Sequence, residues 1–154
     1  MSALLASSVE ERGTELSVTL SGIINETLDL SALLAQCAGR NVVLELEAVR
    51  RINSAGVREW VHFMDKLTAS ATSVVLSRCS TAFVQQIAMI PSVKGRAQLR
   101  SFMMPLVCPE CDAQSLVAVA PGAPVSSPRP CAACSGALEI DDVTDPYLLL
   151  SKMR

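Results

Sequence analysis

Charge, aromatic rings and histidine are all scarce in these 154 residues, and each scarcity removes a class of function. Charged residues are 18% of the chain, below the roughly 25% usual in soluble domains. Thirteen basic residues against 15 acidic ones give a formal net charge of −2, so no cationic excess draws in nucleic acid or anionic lipid. Aromatics are 3%, thin material for stacking on bases. The single histidine, His62, rules out histidine-rich catalytic metal sites, and any Ser-His-Asp or Cys-His mechanism would have to use it. No phosphate-cradling G-x-x-x-x-G-K-[ST] or G-x-G-x-x-G pattern occurs. Apolar runs stop at a handful of residues, far from the ~18–20 that span a bilayer. The opening MSALLASSVEERG lacks a basic leader and a long enough apolar run for secretion, so the expected location is the cytoplasm.

What is abundant is apolar side chain, 50% of the sequence. A chain this long builds a real core, and the excess implies an apolar surface covered by a partner or a second copy. Composition shifts near residue 105. Beyond it lie four of the six cysteines and six of the eight prolines. The pattern predicts a tail over 1–13, an α/β domain over 14–105, a cysteine module over 106–141 and a second tail over 142–154.

Within 14–105, strand-like and helix-like periods alternate. Glu15–Asn25 reads as two short strands bent near Gly22. Thr27–Ala38 carries Leu30, Leu33, Leu34 and Cys37 at helical spacing. Asn41–Val49 is apolar enough for a central strand. Ser54–Thr68 sets Val57, Trp60, Val61, Met64 and Leu67 on one helix face. A strand at Thr72–Arg78, a helix at Thr81–Ile90 and a last strand at Ala97–Val107 complete the layer. This order predicts an α/β fold with helices packed against a sheet.

Two constellations stand out. The first is Asn53-Ser54-Ala55-Gly56, between a strand and a helix. Serine or asparagine at a helix start accepts a hydrogen bond from an unpaired backbone N–H, and the same N–H groups and dipole favour an anion there. Ser54 therefore reads either as a helix cap or as a place where a phosphate, carrying roughly −1.5 to −2 charge, is stabilised. Arg50, Arg51 and Arg58 lie close in sequence and suit a phosphate or an acidic partner.

The second is Cys108-x-x-Cys111 followed by Cys131-x-x-Cys134. This is the paired-knuckle spacing of a zinc site, and four thiolates close the tetrahedron that Zn²⁺ prefers, leaving no open position for catalysis. Two disulfides, a redox pair and an iron–sulfur cluster are the rivals. A module this short has little core of its own and needs such a staple. Expected strands at Ser115–Ala120 and Ala137–Ile140, joined by a loop over Pro121–Pro130, make it resemble a zinc ribbon. Arg129 is its one basic residue before Asp145, which speaks against groove binding to nucleic acid. Cys37 and Cys79 read as buried free thiols, and His62 as a solvated helix residue.

The stretch from Leu20-Ser21-Gly22 through the leucine-bearing helix and the Val/Leu strand to Ile52-Asn53-Ser54-Ala55-Gly56-Val57 resembles the STAS domain of sulfate transporters and anti-sigma factor antagonists. The resemblance spans about 14–105. It implies a STAS-like mixed sheet and regulation through contact, without catalysis. In the antagonist branch the matching serine is phosphorylated by a partner kinase, which switches binding to an anti-sigma factor. Here that position is Ser54, with Asn53 standing where an acidic residue is frequent and Ala55 where a second hydroxyl occurs. The expectation is thus a bacterial signalling module, not an enzyme, that binds a regulatory protein through Asn53, Ser54, Gly56 and Arg58. Cys108, Cys111, Cys131 and Cys134 would hold one structural Zn²⁺. The alternative is a scaffold subunit, a homodimer or a component of a complex, with no covalent switch.

Overall fold

A computed structural model describes residues 5–123 and 129–153. Its first sheet has five strands in sequence order: β1 (Leu5–Arg12), β2 (Glu15–Ile24), β3 (Asn41–Ile52), β4 (Ser73–Ser77) and β5 (Gln98–Leu99). β1 runs antiparallel to β2, and the other neighbours are parallel. Parallel neighbours need crossovers, which are α1 (Ser31–Cys37), α2 (Ser54–Ser70) and α3 (Thr81–Met89). β3 takes the central place because Val42, Val43 and Leu44 are all buried there, as a continuous apolar run requires.

The helices share one face of this sheet. Val57, Trp60, Phe63, Met64 and Leu67 form the buried stripe of α2. Trp60 is fully buried, with ring centroids 5.3 Å from Phe63 and 5.0 Å from Phe83 of α3. Its indole N–H donates to the Val93 carbonyl at 2.9 Å, which satisfies the only polar atom of a large buried ring. The alternate residues of the strands face the other way. There Ser17, Thr19, Glu45, Glu47, Ser77 and Arg78 line a polar depression of about 430 Å³.

A second, antiparallel sheet follows, ordered β7-β6-β9-β8. Its strands are β6 (Phe102–Val107), β7 (Gln114–Val119), β8 (Arg129–Pro130) and β9 (Ala137–Ile140). α4 (Asp145–Ser151) closes the described chain. One hydrophobic cluster runs through both sheets: Phe102, Met104, Leu106, Val119, Tyr147 and Leu150 join the residues of α2, α3 and β2–β5. The molecule is a mixed α/β fold, as the alternating pattern predicts.

Five expectations change. The tail over 1–13 contains β1, a full edge strand whose residues 6–12 are exposed, so no apolar pattern announces it; residues 1–4 lie outside the described ones. The two strands expected across Gly22 are one strand, β2, whose register shifts at Thr19/Ser21 and Gly22/Ile23. Gly22 has φ 118, so the chain bulges there instead of turning back. The single strand expected over Ala97–Val107 is split at Arg100–Ser101, where the Ser101 hydroxyl accepts from the Arg78 N–H at 2.8 Å and the Ser101 carbonyl accepts from Cys79. The chain thereby leaves the first sheet and starts the second. The tail over 142–154 forms α4 and buries Tyr147 and Leu150, while Arg154 is outside the described residues. The loop expected over Pro121–Pro130 ends in β8, and its residues 124–128 are likewise outside.

Candidate functional site

The four cysteines of the second constellation meet at one point. Their sulfurs all lie within 4.8 Å of one another. Cys108 Sγ is 3.4 Å from Cys134 Sγ, and Cys111 Sγ is 3.7 Å from Cys131 Sγ. These gaps exceed the ~2.05 Å of a disulfide. They approach the roughly 3.8 Å edge of a tetrahedron with metal–sulfur bonds of about 2.3 Å. The donor set fits a metal ion, and all four residues would hold it.

Each knuckle is built the same way. After β6, the Cys108 N–H donates to the Ala113 carbonyl at 2.9 Å and the Asp112 N–H donates back to the Cys108 carbonyl at 2.8 Å. Before β9, Cys131 donates to Gly136 at 2.7 Å and Ser135 donates to Cys131 at 2.9 Å. Both loops need one left-handed residue directly after the second cysteine, and Asp112 (φ 61) and Ser135 (φ 66) supply it. Asp tolerates that region better than most side chains, whereas Ser135 carries the strain unaided. Gly136 comes close to the sulfurs: a Cβ there would sit 3.0 Å from Cys108 Sγ and 3.3 Å from Cys134 Sγ. Sequence spacing found the four clustered cysteines. It missed the two left-handed positions, because neither is glycine.

Burial divides the shell. Cys108 and Cys131 are buried, and Cys111 and Cys134 are exposed. The backbone N–H groups of Ala133 and Cys134 pull the Cys131 thiol down to about 7, which favours the thiolate that binds metal. Cys37 and Cys79 are buried and do not belong to the cluster, and burial pushes the Cys79 thiol up to about 12, as expected for an inert core cysteine.

The turn at the start of α2 is arranged differently from the simplest reading. Asn53, not Ser54, is the cap: its Oδ1 accepts from the Gly56 N–H at 2.7 Å. Ser54 is the first helical residue and is exposed, as are Asn53 and Arg58. Gly56 is buried. A Cβ on it would strike the Ile24 carbonyl and lie 2.9 Å from Asn25 Cα, so Gly56 lets α2 press against the end of β2. The Asn53 N–H donates to Ile24 at 3.2 Å, fixing the same junction. The Asn53 side-chain amide also donates to Glu26 at 3.2 Å. Glu26 is held below the usual carboxylate range by its own backbone N–H and by Asn53. No sequence spacing pointed to this acid, 27 positions from Asn53. Arg50 and Arg51 are exposed at the end of β3.

Among the described residues no helix is long and apolar enough to cross a membrane. All five aromatic rings are buried: Trp60, Phe63, Phe83, Phe102 and Tyr147. No protein-family model matches the chain, and no curated protein matches it either.

Proposed function

We propose that this chain is a non-catalytic regulatory interaction module of the STAS type, which contacts a protein partner through the turn at Asn53–Ser54 and α2. The observation that carries the reading is the division of labour in that turn. Asn53 takes the capping duty, which leaves the Ser54 hydroxyl exposed at a helix start with Arg58 one turn on. A phosphate at Ser54 would gain from the dipole and the free N–H groups. It would add its negative charge to a turn where the Asn53 amide already holds Glu26, changing the charge that a partner meets. Glu26 also supplies an acid where the resembling family has one within the turn. The burial of every ring favours a protein partner over a nucleic acid.

We further propose Zn²⁺ as the ion of the four-cysteine cluster, with a structural role. A full thiolate set leaves no position for substrate, and the sulfur spacings suit the ion's radius. Bound there, it would tie the β6–β7 and β8–β9 hairpin ends together.

The test uses the full chain as bait in three forms: wild type, Ser54→Ala and Ser54→Asp. A phospho-switch predicts at least about tenfold different recovery of the partner between the last two, equivalent to roughly 1.4 kcal/mol. Phosphopeptides from cells should carry the modification at Ser54. Equal recovery of the same proteins by all three forms sinks the switch. Metal analysis of the purified chain should return one zinc per chain, and iron at that stoichiometry would replace zinc in the proposal.

A further inference from the structure

Three of the six large apolar side chains exposed among the described residues lie where the end of α3 meets α4, and Met89 is the most exposed of the six. Met89 is 69% exposed, Leu149 45% and Ile90 36%. With Ala88, Pro146 and Leu148, Met89 and Leu149 line an open groove of about 450 Å³. The two ends of the groove carry opposite charges: Asp145 at the start of α4 and Lys152 just past its end. Neither has an ion-pair partner among the described residues. They are seven residues apart, about 10 Å along a helix.

We infer that this groove is the contact face of a homodimer, in which two copies of α4 pair antiparallel about a two-fold axis. A twofold contact must be self-complementary. Here one reversal brings Asp145 of each copy to Lys152 of the other and aligns the helix dipoles favourably. The same operation sets Leu149 near the axis and offers each protruding Met89 to the facing groove, where an adaptable side chain fills irregular space. A foreign partner would have to carry the same charges in the same reversed order. A second copy does so by symmetry. The groove is small, so the dimer belongs with weak interfaces, with a dissociation constant on the order of 100 µM. α3 begins at the ends of the parallel strands where the Ser54 turn lies and runs back from it, so this face is separate from that turn and does not rest on its proposed role.

Sedimentation velocity of the full chain from about 1 µM to about 1 mM should show monomer giving way to dimer. Met89→Glu and Leu149→Glu should each weaken association about tenfold or more with the circular dichroism spectrum unchanged. Met89→Ser, milder at the same exposed position, should weaken it less. Asp145→Lys and Lys152→Asp should each be monomeric alone, because each opposes like charges across the axis. Mixed in equal amounts, they should associate again as a heterodimer, since both cross-axis pairs are then restored. A chain that stays monomeric throughout overturns the inference, as does a dimer indifferent to these variants or a mixture that fails to reassociate. Capture of an unrelated protein on this groove by a strictly monomeric chain overturns it too.

Discussion

At the scale of single residues, two backbone positions control more than their side chains suggest. Gly56 sits where the start of α2 meets the end of β2, and the obstacle to a larger residue is backbone, which cannot swing aside as a flexible side chain can. Gly56→Ala should therefore destabilise the fold by about 1–3 kcal/mol, the range for overpacking a close contact. Thermal melts would read this directly, and an unchanged melting temperature would contradict it. Ser135 presents the opposite case. Its φ of 66 costs a side-chain-bearing residue about 1–2 kcal/mol, and glycine avoids that cost. Part of the gain returns as unfolded-state entropy, so Ser135→Gly should stabilise the metal-loaded protein by up to about 1 kcal/mol in denaturant titrations. Gly136→Ala, one residue on, should act in the other sense and weaken metal retention by crowding Cys108 and Cys134.

At the scale of elements, α4 is held to α3 by a small polar lock. The Tyr147 hydroxyl donates to Asp142 Oδ2 at 2.7 Å and the Gln85 amide donates to the same oxygen at 3.0 Å. The Val143 N–H donates to the other carboxylate oxygen. Partial burial works against the charge of Asp142, and the three donors outweigh it, leaving its carboxyl below the ordinary range. A depressed acid contributes stability above its unfolded value, about 3.9, and loses it as the pH falls through the lower folded value. Asp142→Asn should thus lower the denaturation midpoint at neutral pH and make progressively less difference as the pH falls below about 3.9 through the lower folded value. A deficit that persists unchanged into acid would show that the lock does not depend on the charge. Tyr147→Phe should cost about 0.5–1.5 kcal/mol at neutral pH, the worth of a lost hydrogen bond.

The same scale shows what the amino-acid pattern reveals and what it hides. β3 and α2 were readable because Val42–Leu44 and the Val57–Trp60–Met64–Leu67 stripe match periods that only burial imposes. The cluster of Cys108, Cys111, Cys131 and Cys134 was readable because its paired spacing is one that metal chemistry favours. β1 was not, since residues 6–12 all face solvent and hydrogen bonding to β2 alone makes them a strand. The break between β5 and β6 was hidden because it depends on Ser101 meeting Arg78, 23 positions away. Asn53 and Ser54 are both good caps by propensity, and only the geometry assigns the cap to Asn53.

At the scale of the whole molecule, the second sheet has two ends under different constraints. The end where β6 begins and β7 finishes lies in the common core, where Phe102, Met104 and Val119 are buried with Tyr147. The sheet's far end consists of two knuckles whose residues Glu110–Asp112 and Ala132–Ser135 are exposed, with the four sulfurs converging between them. Apparent zinc binding in small modules is about 10–16 kcal/mol, as large as the roughly 5–15 kcal/mol that separates a whole domain from its unfolded state. Chelation should therefore act unevenly. Hydrogen exchange after metal removal should quicken at the Cys108, Asp112, Cys131 and Ser135 amides and along β8 and β9. The amides of β2, β3 and α2 should keep their protection, because their core does not include the ion. Cys108→Ser and Cys131→Ser, which strand a buried hydroxyl, should lower the melting temperature more than Cys111→Ser and Cys134→Ser, whose replacements reach water. Uniform loss of protection across both sheets would instead mean that the shared core through Phe102 and Tyr147 couples them into one cooperative unit, with the metal setting the stability of the Ser54 turn as well as its own.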